Sequence, residues 1–254
     1  MTDIIICGIG GKMGANILKA LEDYDDVRCV GGIDAYADAS KFSVPVFKKP
    51  SDIDIEADVI VDFSRPEALQ GLLDFAVSRK VALLLATTGY SPEQLEAVKE
   101  ASKRTAIFRS ANMSLGINLL IGLARRAAAF LGDKFDVEIV ETHHNKKVDS
   151  PSGTALAIAD GILAEKPGYY ETFGRHGNAT KRDAKEIGIH AVRGGTVVGK
   201  HEVNFFGDDE VITLTHEAHS KAVFAHGAIK GAAFLKGKAP GMYDMNDLIA
   251  AMID

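Results

Sequence analysis

Cysteine is almost missing from this chain: Cys7 and Cys29 are the only two in 254 residues. Each stands inside an apolar run, so the pair offers neither a disulfide framework nor the spacing of a zinc site, and so low a thiol content suits a reducing cytoplasm. A surplus of positive charge is lacking too. With 29 Lys and Arg against 35 Asp and Glu, a net charge of −6 and a pI near 5.8, no basic excess remains to neutralise phosphates, which argues against a nucleic acid or an anionic membrane as partner. No basic leader precedes Ile4-Ile5-Ile6, and no apolar run reads as approaching the roughly 18 residues that span a bilayer, so neither export nor membrane insertion is expected. Internal repeats and low-complexity segments are also missing. The composition that remains, 46% hydrophobic and 25% charged, is that of a globular chain long enough for one large domain or two modest ones.

What is present is order along the chain. The first half alternates short β-branched runs with helical patterns, the reading of βαβ units that build a parallel sheet with helices on both faces. Strands are expected at 3–7, 27–33, 59–63, 81–87 and 105–110. Between them Met13, Ile17 and Leu21, then Leu69, Leu72 and Ala76, then Leu95, Val98 and Ser102 each mark one helical face, and Pro66 and Pro92 stand where helices begin. A helix is expected over 115–131. Beyond it 137–142, 189–192, 197–206 and 210–216 read as longer strands without a helix between each pair, hence a second, more open sheet. The Gly-, Lys- and Arg-rich stretch 166–186 reads as a mobile loop over a site or a subunit contact. Helices at 222–235 and 245–253 close the chain.

The strand ending at Cys7 runs into Gly8-Ile9-Gly10-Gly11-Lys12-Met13-Gly14 and then a helix. That context turns a glycine pattern into a pyrophosphate-binding turn: glycines permit the tight bend, and backbone N–H groups at the helix start reach the phosphates. The match to Gly-x-Gly-x-x-Gly is imperfect, since Met13 stands at the third glycine position and Gly14 follows it. Asp34 lies about 20 residues beyond the helix start, where a carboxylate can hold a ribose 2′-hydroxyl, although the same residue can simply begin a turn. An acid at Asp34 repels a 2′-phosphate while Lys12 can attract one, so NADH and NADPH both stay open. Two further loops follow strands, Asp62-Phe63-Ser64-Arg65-Pro66 and Ala86-Thr87-Thr88-Gly89. Their hydroxyls and backbone either contact ribose and nicotinamide or only cap the next helix. The sum is an α/β chain with a Rossmann-like dinucleotide-binding domain and a smaller α+β domain with an open mixed sheet.

Directly after an expected strand, His143-His144-Asn145-Lys146-Lys147 puts an imidazole that exchanges a proton near neutral pH beside ammonium groups that bind a carboxylate. Pro151-Ser152-Gly153-Thr154 then opens a helix, with Ser152 as its cap and first-turn amides that can receive a second carboxylate. Together they describe a pocket for a small dianion. A metal is not expected, because neighbouring histidines in an extended strand point to opposite faces and no His-Glu-x-x-His or Cys partner is present. The bland alternative is a solvated basic loop, the usual meaning of a Lys-rich stretch; the glycine turn upstream weighs against it.

At these residues the chain resembles the 4-hydroxy-tetrahydrodipicolinate reductase (dihydrodipicolinate reductase) family of the diaminopimelate route to lysine, over nearly its whole length. The resemblance is carried by Gly8 to Gly14, Asp62-Phe63-Ser64, Thr87-Thr88-Gly89, Ala111-Asn112-Met113-Ser114-Leu115-Gly116-Ile117-Asn118, the His143 to Thr154 run and Val192-Arg193-Gly194-Gly195. The His-His-x-x-Lys-x-Asp-x-Pro-Ser-Gly-Thr run is the most specific of these. The resemblance implies His143 for proton transfer, Lys147 as partner acid and carboxylate ligand, and His144, Gly153 and Thr154 as substrate-binding residues. It implies cofactor contacts at Gly8, Ile9, Gly10, Gly11, Lys12, Met13, Asp34, Ala86, Thr87, Thr88, Ser110, Ala111, Asn112 and Met113. Residues 1–114 and 222–254 would then form the dinucleotide-binding domain, and 115–221 the substrate-binding and oligomerisation domain of a cytoplasmic homotetramer.

The implied reaction takes a cyclic imine dicarboxylate that has lost its 4-hydroxyl, adds hydride from NADH or NADPH at C4, and protonates the resulting enamine. Two departures from the family pattern stand out. Ala86 replaces a Gly common before the Thr-Thr pair, and Met113 replaces a Phe beside the nicotinamide, where Met can still cover an apolar ring edge. Ala35 stands where some members carry Arg after the acid, which weakens the case for an NADPH preference. Two rival readings remain. Another NAD(P)-dependent dehydrogenase would share the glycine turn but need its own substrate loop, and a nucleotide-sensing regulatory protein would have no reason to keep both His143 and Lys147.

Overall fold

A computed structural model describes residues 1–177 and 181–253. In chain order its elements are β1 (Thr2–Cys7), α1 (Lys12–Ala20), β2 (Val27–Ile33), β3 (Val46–Phe47), β4 (Val59–Asp62), α2 (Leu69–Arg79), β5 (Ala82–Leu85), α3 (Pro92–Ser102), β6 (Ala106–Arg109), α4 (Leu115–Leu131), β7 (Asp136–His143), α5 (Gly153–Leu163), β8 (Tyr170–Phe173), β9 (Glu186–Arg193), β10 (Gly199–Phe206), β11 (Val211–Ala218), α6 (Ala222–Leu235), β12 (Gly241–Tyr243) and α7 (Met245–Ile253). They fall into two compact units. The first joins Met1–Leu115 to the stretch from Ala222 onward, and the second is Gly116–Lys221.

The first unit is built on a seven-stranded sheet in the order β12-β6-β5-β4-β1-β2-β3, every pairing parallel. Parallel strands need crossovers, and the crossover helices cover both faces of the sheet. That is why Ile4, Ile5 and Ile6 are all fully buried: successive side chains point to opposite faces, and each face is a core. One core joins Ile4 and Ile6 to Ile17 of α1, Ile229 of α6 and Leu248 of α7. The other joins Ile5 to Leu69, Leu72 and Ala76 of α2 and Val98 of α3. Burying a large aliphatic side chain completely contributes about 1.5–3 kcal/mol, so the three isoleucines favour a central place for β1. The chain leaves β1 toward β2 on one side and returns to β4 on the other, and outside the carboxyl ends at such a switch point an open α/β sheet binds its ligand. β3 and β12, of two and three residues, add to the five strands expected.

The second unit has a five-stranded sheet in the order β11-β10-β7-β9-β8. It is mixed: β9 is parallel to both β7 and β8, whereas β10 is antiparallel to both β7 and β11. β7 alternates strictly, with Val137, Ile139, Glu141 and His143 buried and Asp136, Glu138, Val140 and Thr142 on the other, half-exposed face. The buried face packs on Ile117, Leu120 and Ala124 of α4 and on Ile158, Ala159 and Ile162 of α5. Register then places His201 of β10 opposite Glu141 and Arg193 of β9 opposite His143.

Two expectations need correction in this unit. The stretch 166–186 is not all loop, because Tyr170–Phe173 forms an edge strand parallel to β9; residues 178–180 of that stretch lie outside the described residues. An apolar segment of spanning length does exist by length and composition, since within the 20 residues of Leu115–Lys134 the mean hydropathy reaches 1.4 over an 18-residue window. Asn118, Arg125 and Arg126 interrupt the run in the sequence without cancelling its apolar average, and Ile117, Leu120, Ala124 and Ala128 pack into the core of the unit.

Candidate active site

The expected cofactor residues of the first unit all follow carboxyl ends of parallel strands. Gly8 to Met13 follow β1, Asp34 follows β2, Ala86 to Thr88 follow β5, and Ser110 to Met113 follow β6; parallel pairing brings these ends to one edge of the sheet. Gly8 bends the chain at φ +82°, and a Cβ there would lie 2.9 Å from the Phe63 carbonyl oxygen. A Cβ on Gly14 would overlap the carbonyl oxygens of Gly8 and Ile9. Gly14 therefore takes the third glycine's task of letting α1 lie against the turn, and Met13 marks a one-residue extension of the fingerprint. The first-turn amides of α1 have no intrahelical acceptor, so the turn fits a pyrophosphate.

Asp34 Oδ2 accepts from the Gly10 amide at 3.0 Å, and Oδ1 accepts from the amides of Tyr36 and Ala37, each at 3.0 Å. Asp34 thus begins a turn and also anchors the glycine loop, with acceptor capacity left for a ribose hydroxyl. Asp62 is fully buried and accepts from the Ser64 amide (3.0 Å), Ser64 Oγ (2.5 Å) and Tyr90 Oη (3.1 Å). The loops after β4 and β5 are fastened together in this way by a tyrosine that sequence reasoning passed over. Burial, reinforced by the Asp62 charge, pushes the Tyr90 phenol far up, so it stays a neutral donor. Ser110 Oγ donates to the Asn112 carbonyl at 2.7 Å, and Asn112 Oδ1 accepts from the Ser114 amide at 2.9 Å. Met113 differs from the expectation. Its side chain is 2% exposed in the core shared with α6, where Gly231 leaves room for Cε, so it packs the core and does not present an open edge to a ring.

In the second unit one carboxylate gathers the polar groups around it. Glu141 is wholly buried; its Oε2 lies 2.5 Å from His143 Nδ1, Arg193 donates to both oxygens at 2.8 Å, and the Ser152 amide donates to Oε1 at 3.0 Å. The imidazole at the end of β7 and the residue that caps α5 are therefore held by the same group. Burial raises the Glu141 pKa, but Arg193, His143 and Ser152 outweigh it and keep the group below the usual carboxylate value. His143 is held below 6.5, first by burial and then by the Lys147 and Arg193 charges, against the opposing pull of Glu141.

His201 stands edge-on to His143, ring centres 5.2 Å apart, and its Nε2 is 3.1 Å from Ser152 Oγ. Burial, with the neighbouring His143, lowers it to about 4, so it is a neutral imidazole at ordinary pH. Ser152 Oγ also accepts from the Ala155 amide at 3.1 Å and caps α5. Space is open where a Gly153 Cβ would stand, which leaves the first-turn amides approachable. His144 lies just past β7, and the Lys147 amide donates to its carbonyl at 3.1 Å, closing a turn that brings Lys147 back toward the strand. Lys147 Nζ pairs with Asp149 at 2.8 Å, the lysine largely covered and the aspartate exposed. His144 Nδ1 is buried without a hydrogen-bond partner among the described residues.

The sequence singles out the segment from His143 to Thr154 as a candidate site, but it assigns no part in it to Glu141, Arg193 or His201. Glu141 carried a usable signal, since Glu-x-His on a strand puts both side chains on one face. Arg193 and His201 come from strands 52 and 60 residues further on (193 − 141 and 201 − 141), and no local pattern links them to it.

A family model described as "Dihydrodipicolinate reductase, N-terminus" matches residues 2–113, and one described as "Dihydrodipicolinate reductase, C-terminus" matches residues 116–249. The 4-hydroxy-tetrahydrodipicolinate reductase of Caldanaerobacter subterraneus subsp. tengcongensis is 50% identical over 252 residues, covering 98% of both chains. That of Clostridium tetani is 46% identical over 250 residues, covering 98% of this chain and 97% of the relative. Among solved structures, a dipicolinate-bound dihydrodipicolinate reductase from Paenisporosarcina sp. TG-14 superposes with a TM-score of 0.81 at 24% identity, covering 97% of this chain and 99% of the other. A myo-inositol dehydrogenase from Corynebacterium glutamicum shares the fold at a TM-score of 0.59 and 13% identity, covering 100% of this chain and 94% of the other.

Proposed function

The chain belongs to the dihydrodipicolinate reductase family, and from that premise we propose which of its residues carry out the family's reaction. It reduces 4-hydroxy-tetrahydrodipicolinate to tetrahydrodipicolinate with NADH or NADPH, an oxidoreductase step of diaminopimelate and lysine biosynthesis. The nicotinamide, when bound, supplies the hydride, and the protein supplies binding, orientation, charge and the proton. The turn from Gly8 to Gly14 takes the pyrophosphate and Asp34 a ribose hydroxyl, with the backbone of Ala86 to Thr88 and of Ser110 to Met113 toward the nicotinamide end.

His143 gives the proton to the ring carbon made electron-rich by reduction. Lys147 exchanges Asp149 for one substrate carboxylate, and the amides of Gly153 and Thr154 at the start of α5, with His144, receive the other. The Paenisporosarcina reductase, whose fold this chain shares, holds dipicolinate, itself a small cyclic dicarboxylate. The observation that carries this reading is Glu141, which holds the His143 imidazole and the capped start of α5 at 2.5 and 3.0 Å from one carboxylate, so a proton carrier and an anion-receiving backbone stand at fixed separation.

The activity is tested by following loss of reduced-nicotinamide absorbance with freshly generated substrate; no loss with either cofactor overturns it. His143→Gln is expected to lower kcat by roughly 10²- to 10⁴-fold, the span of general acid–base catalysis. Lys147→Ala is expected to lower kcat and raise KM as well. Native turnover in both variants removes the two roles.

The open face of the second sheet carries Val192, Phe206 and Val211, which are 46%, 41% and 54% exposed, around half-buried Val140. We infer that this face assembles four copies in a cytoplasm where Cys7 and Cys29 stay free thiols. Light scattering that gives the mass of a single chain at working concentration would contradict the assembly.

A further inference from the structure

We propose that Glu141 is the positioning residue of the proton transfer: clamped by Arg193 and the Ser152 amide, it holds the hydrogen on His143 Nδ1, so that the imidazole meets its substrate through Nε2 alone. The inference deepens the role given to His143 above and rests on it. A carboxylate can only accept, and Glu141, buried and bonded twice by Arg193, is a carboxylate; the ring nitrogen 2.5 Å from it must therefore be the one that carries hydrogen. With both Arg193 bonds, the Ser152 amide and Nδ1 in place, the acceptor sites of Glu141 are filled, so it has no freedom to turn toward another partner.

The other nitrogen is kept clear by a missing side chain. A Cβ on Gly199, at the start of β10, would stand 3.0 Å from His143 Nε2 and 3.3 Å from Cδ2, closer than a methyl can rest without displacing the ring. The proton then has one route. The Nε2–H bond of the imidazolium breaks as a C–H bond forms on the substrate, the ring is left neutral with its Nδ1 hydrogen in place, and a proton from solvent restores Nε2–H. Glu141 is never protonated in the cycle. Among the described residues, the charged and titratable groups around His143 are Glu141 on its own strand, Arg193 on β9, His201 on β10, and Lys147 with Asp149 on the following loop. Of these Glu141 lies nearest and is the one that favours the imidazolium, whereas Lys147 and Arg193 oppose it.

Glu141→Gln keeps the shape and removes the charge. It is expected to lower kcat roughly 100-fold, the lower end of what general acid–base catalysis contributes, with KM little changed. The pH at which activity falls as His143 deprotonates should move down by about one unit, because a favourable charge is lost while Lys147 and Arg193 remain. Nitrogen-15 spectra of the folded enzyme should show Nδ1 protonated and Nε2 bare in the native chain, and a mixed or reversed tautomer in the variant. In a His143→Gln background the same Glu141 substitution should cost nothing further. Gly199→Ala offers a second handle, with kcat reduced about tenfold and the Nδ1 tautomer unchanged. A His143→Gln variant with native kcat would sink the role of His143 itself. A damaged His143→Gln enzyme beside a Glu141→Gln enzyme of native pH profile and tautomer, or an undiminished Glu141 effect in the double variant, would overturn the positioning role alone.

Discussion

Two glutamates three residues apart on β7 do different things with similar partners. Glu141 faces the helix-covered side, is wholly buried, and takes one arginine fork, one amide and one imidazole. Glu138 faces the open side, where it accepts from Arg175 at 3.0 and 2.7 Å, from Arg182 Nε at 3.1 Å and from His190 Nε2 at 2.7 Å. Gly188 on the neighbouring strand leaves the room that the Glu138 carboxylate fills. Burial pushes Glu138 up, but Arg175, His190 and Arg182 together bring it down to about 2. An odd spacing on a strand is what sends the two acids to opposite faces. On the open face the carboxylate gathers cations from residues 37 and 44 positions away in sequence and fastens that chain to the sheet. On the covered face the same fork fixes the carboxylate so that it can aim a ring.

Acid should separate the two faces, and this is the largest effect expected. His201, on the covered face, has a folded value near 4, below the 6.5 of an exposed imidazole. The unfolded chain therefore takes up a proton that the folded chain refuses, and stability that is full above about pH 6.5 is lost as pH falls toward 4. For Glu138 the folded value near 2 lies below the ordinary carboxylate value, so its contribution is full above about pH 4.5 and is lost as pH falls toward 2. Each step amounts to about 3–4 kcal/mol at 1.4 kcal/mol per unit. Urea unfolding across the acid range should show both steps. His201→Gln should flatten the first and Glu138→Gln the second, and a single step insensitive to His201 would erase the distinction.

Exchanging charge for amide at each acid in turn tests the same contrast at smaller scale. Glu138→Gln is expected to reduce unfolding free energy by about 1–3 kcal/mol, the cost of leaving buried charged hydrogen bonds incomplete, with kcat near native where the protein is folded. Glu141→Gln acts the other way round, on kcat first. If turnover fell as much at Glu138 as at Glu141, the open face would belong to the chemistry.

Much of this was readable in the sequence, and the failures have physical reasons. The five longer parallel strands were legible because buried strands are continuous β-branched runs, as at Ile4-Ile5-Ile6. β3 and β12 are too short to show a period, and β8 sits at a sheet edge among Gly, Lys and Arg residues, where composition signals loop. The glycine turn was found but its third glycine was uncertain until the close approach at Gly14 decided it. His143, Lys147, Gly153 and Thr154 could be proposed together because they share one short segment. The clamp on Glu141 could not be, because its arginine arrives from β9, and pairing of distant strands leaves no trace in local spacing.

The smallest contrast is between the two arginines. Lysine keeps the charge but offers a point in place of a planar fork. At Glu138, which retains Arg182 and His190, Arg175→Lys should cost under about 1 kcal/mol and leave turnover alone, the more so because the Arg175 side chain is already 36% exposed. At Glu141 the fork comes, among the described residues, from Arg193 alone, with a side chain 20% exposed. Arg193→Lys gives up one of two bonds, about 0.5–1.5 kcal/mol, and lets the carboxylate pivot about the other. Because that pivot carries the Nδ1 partner with it, the loss should surface as a roughly 2- to 10-fold fall in kcat at nearly constant unfolding free energy. Equal behaviour of the two lysine variants in both assays would mean that the covered fork, like the open one, only fastens the sheet.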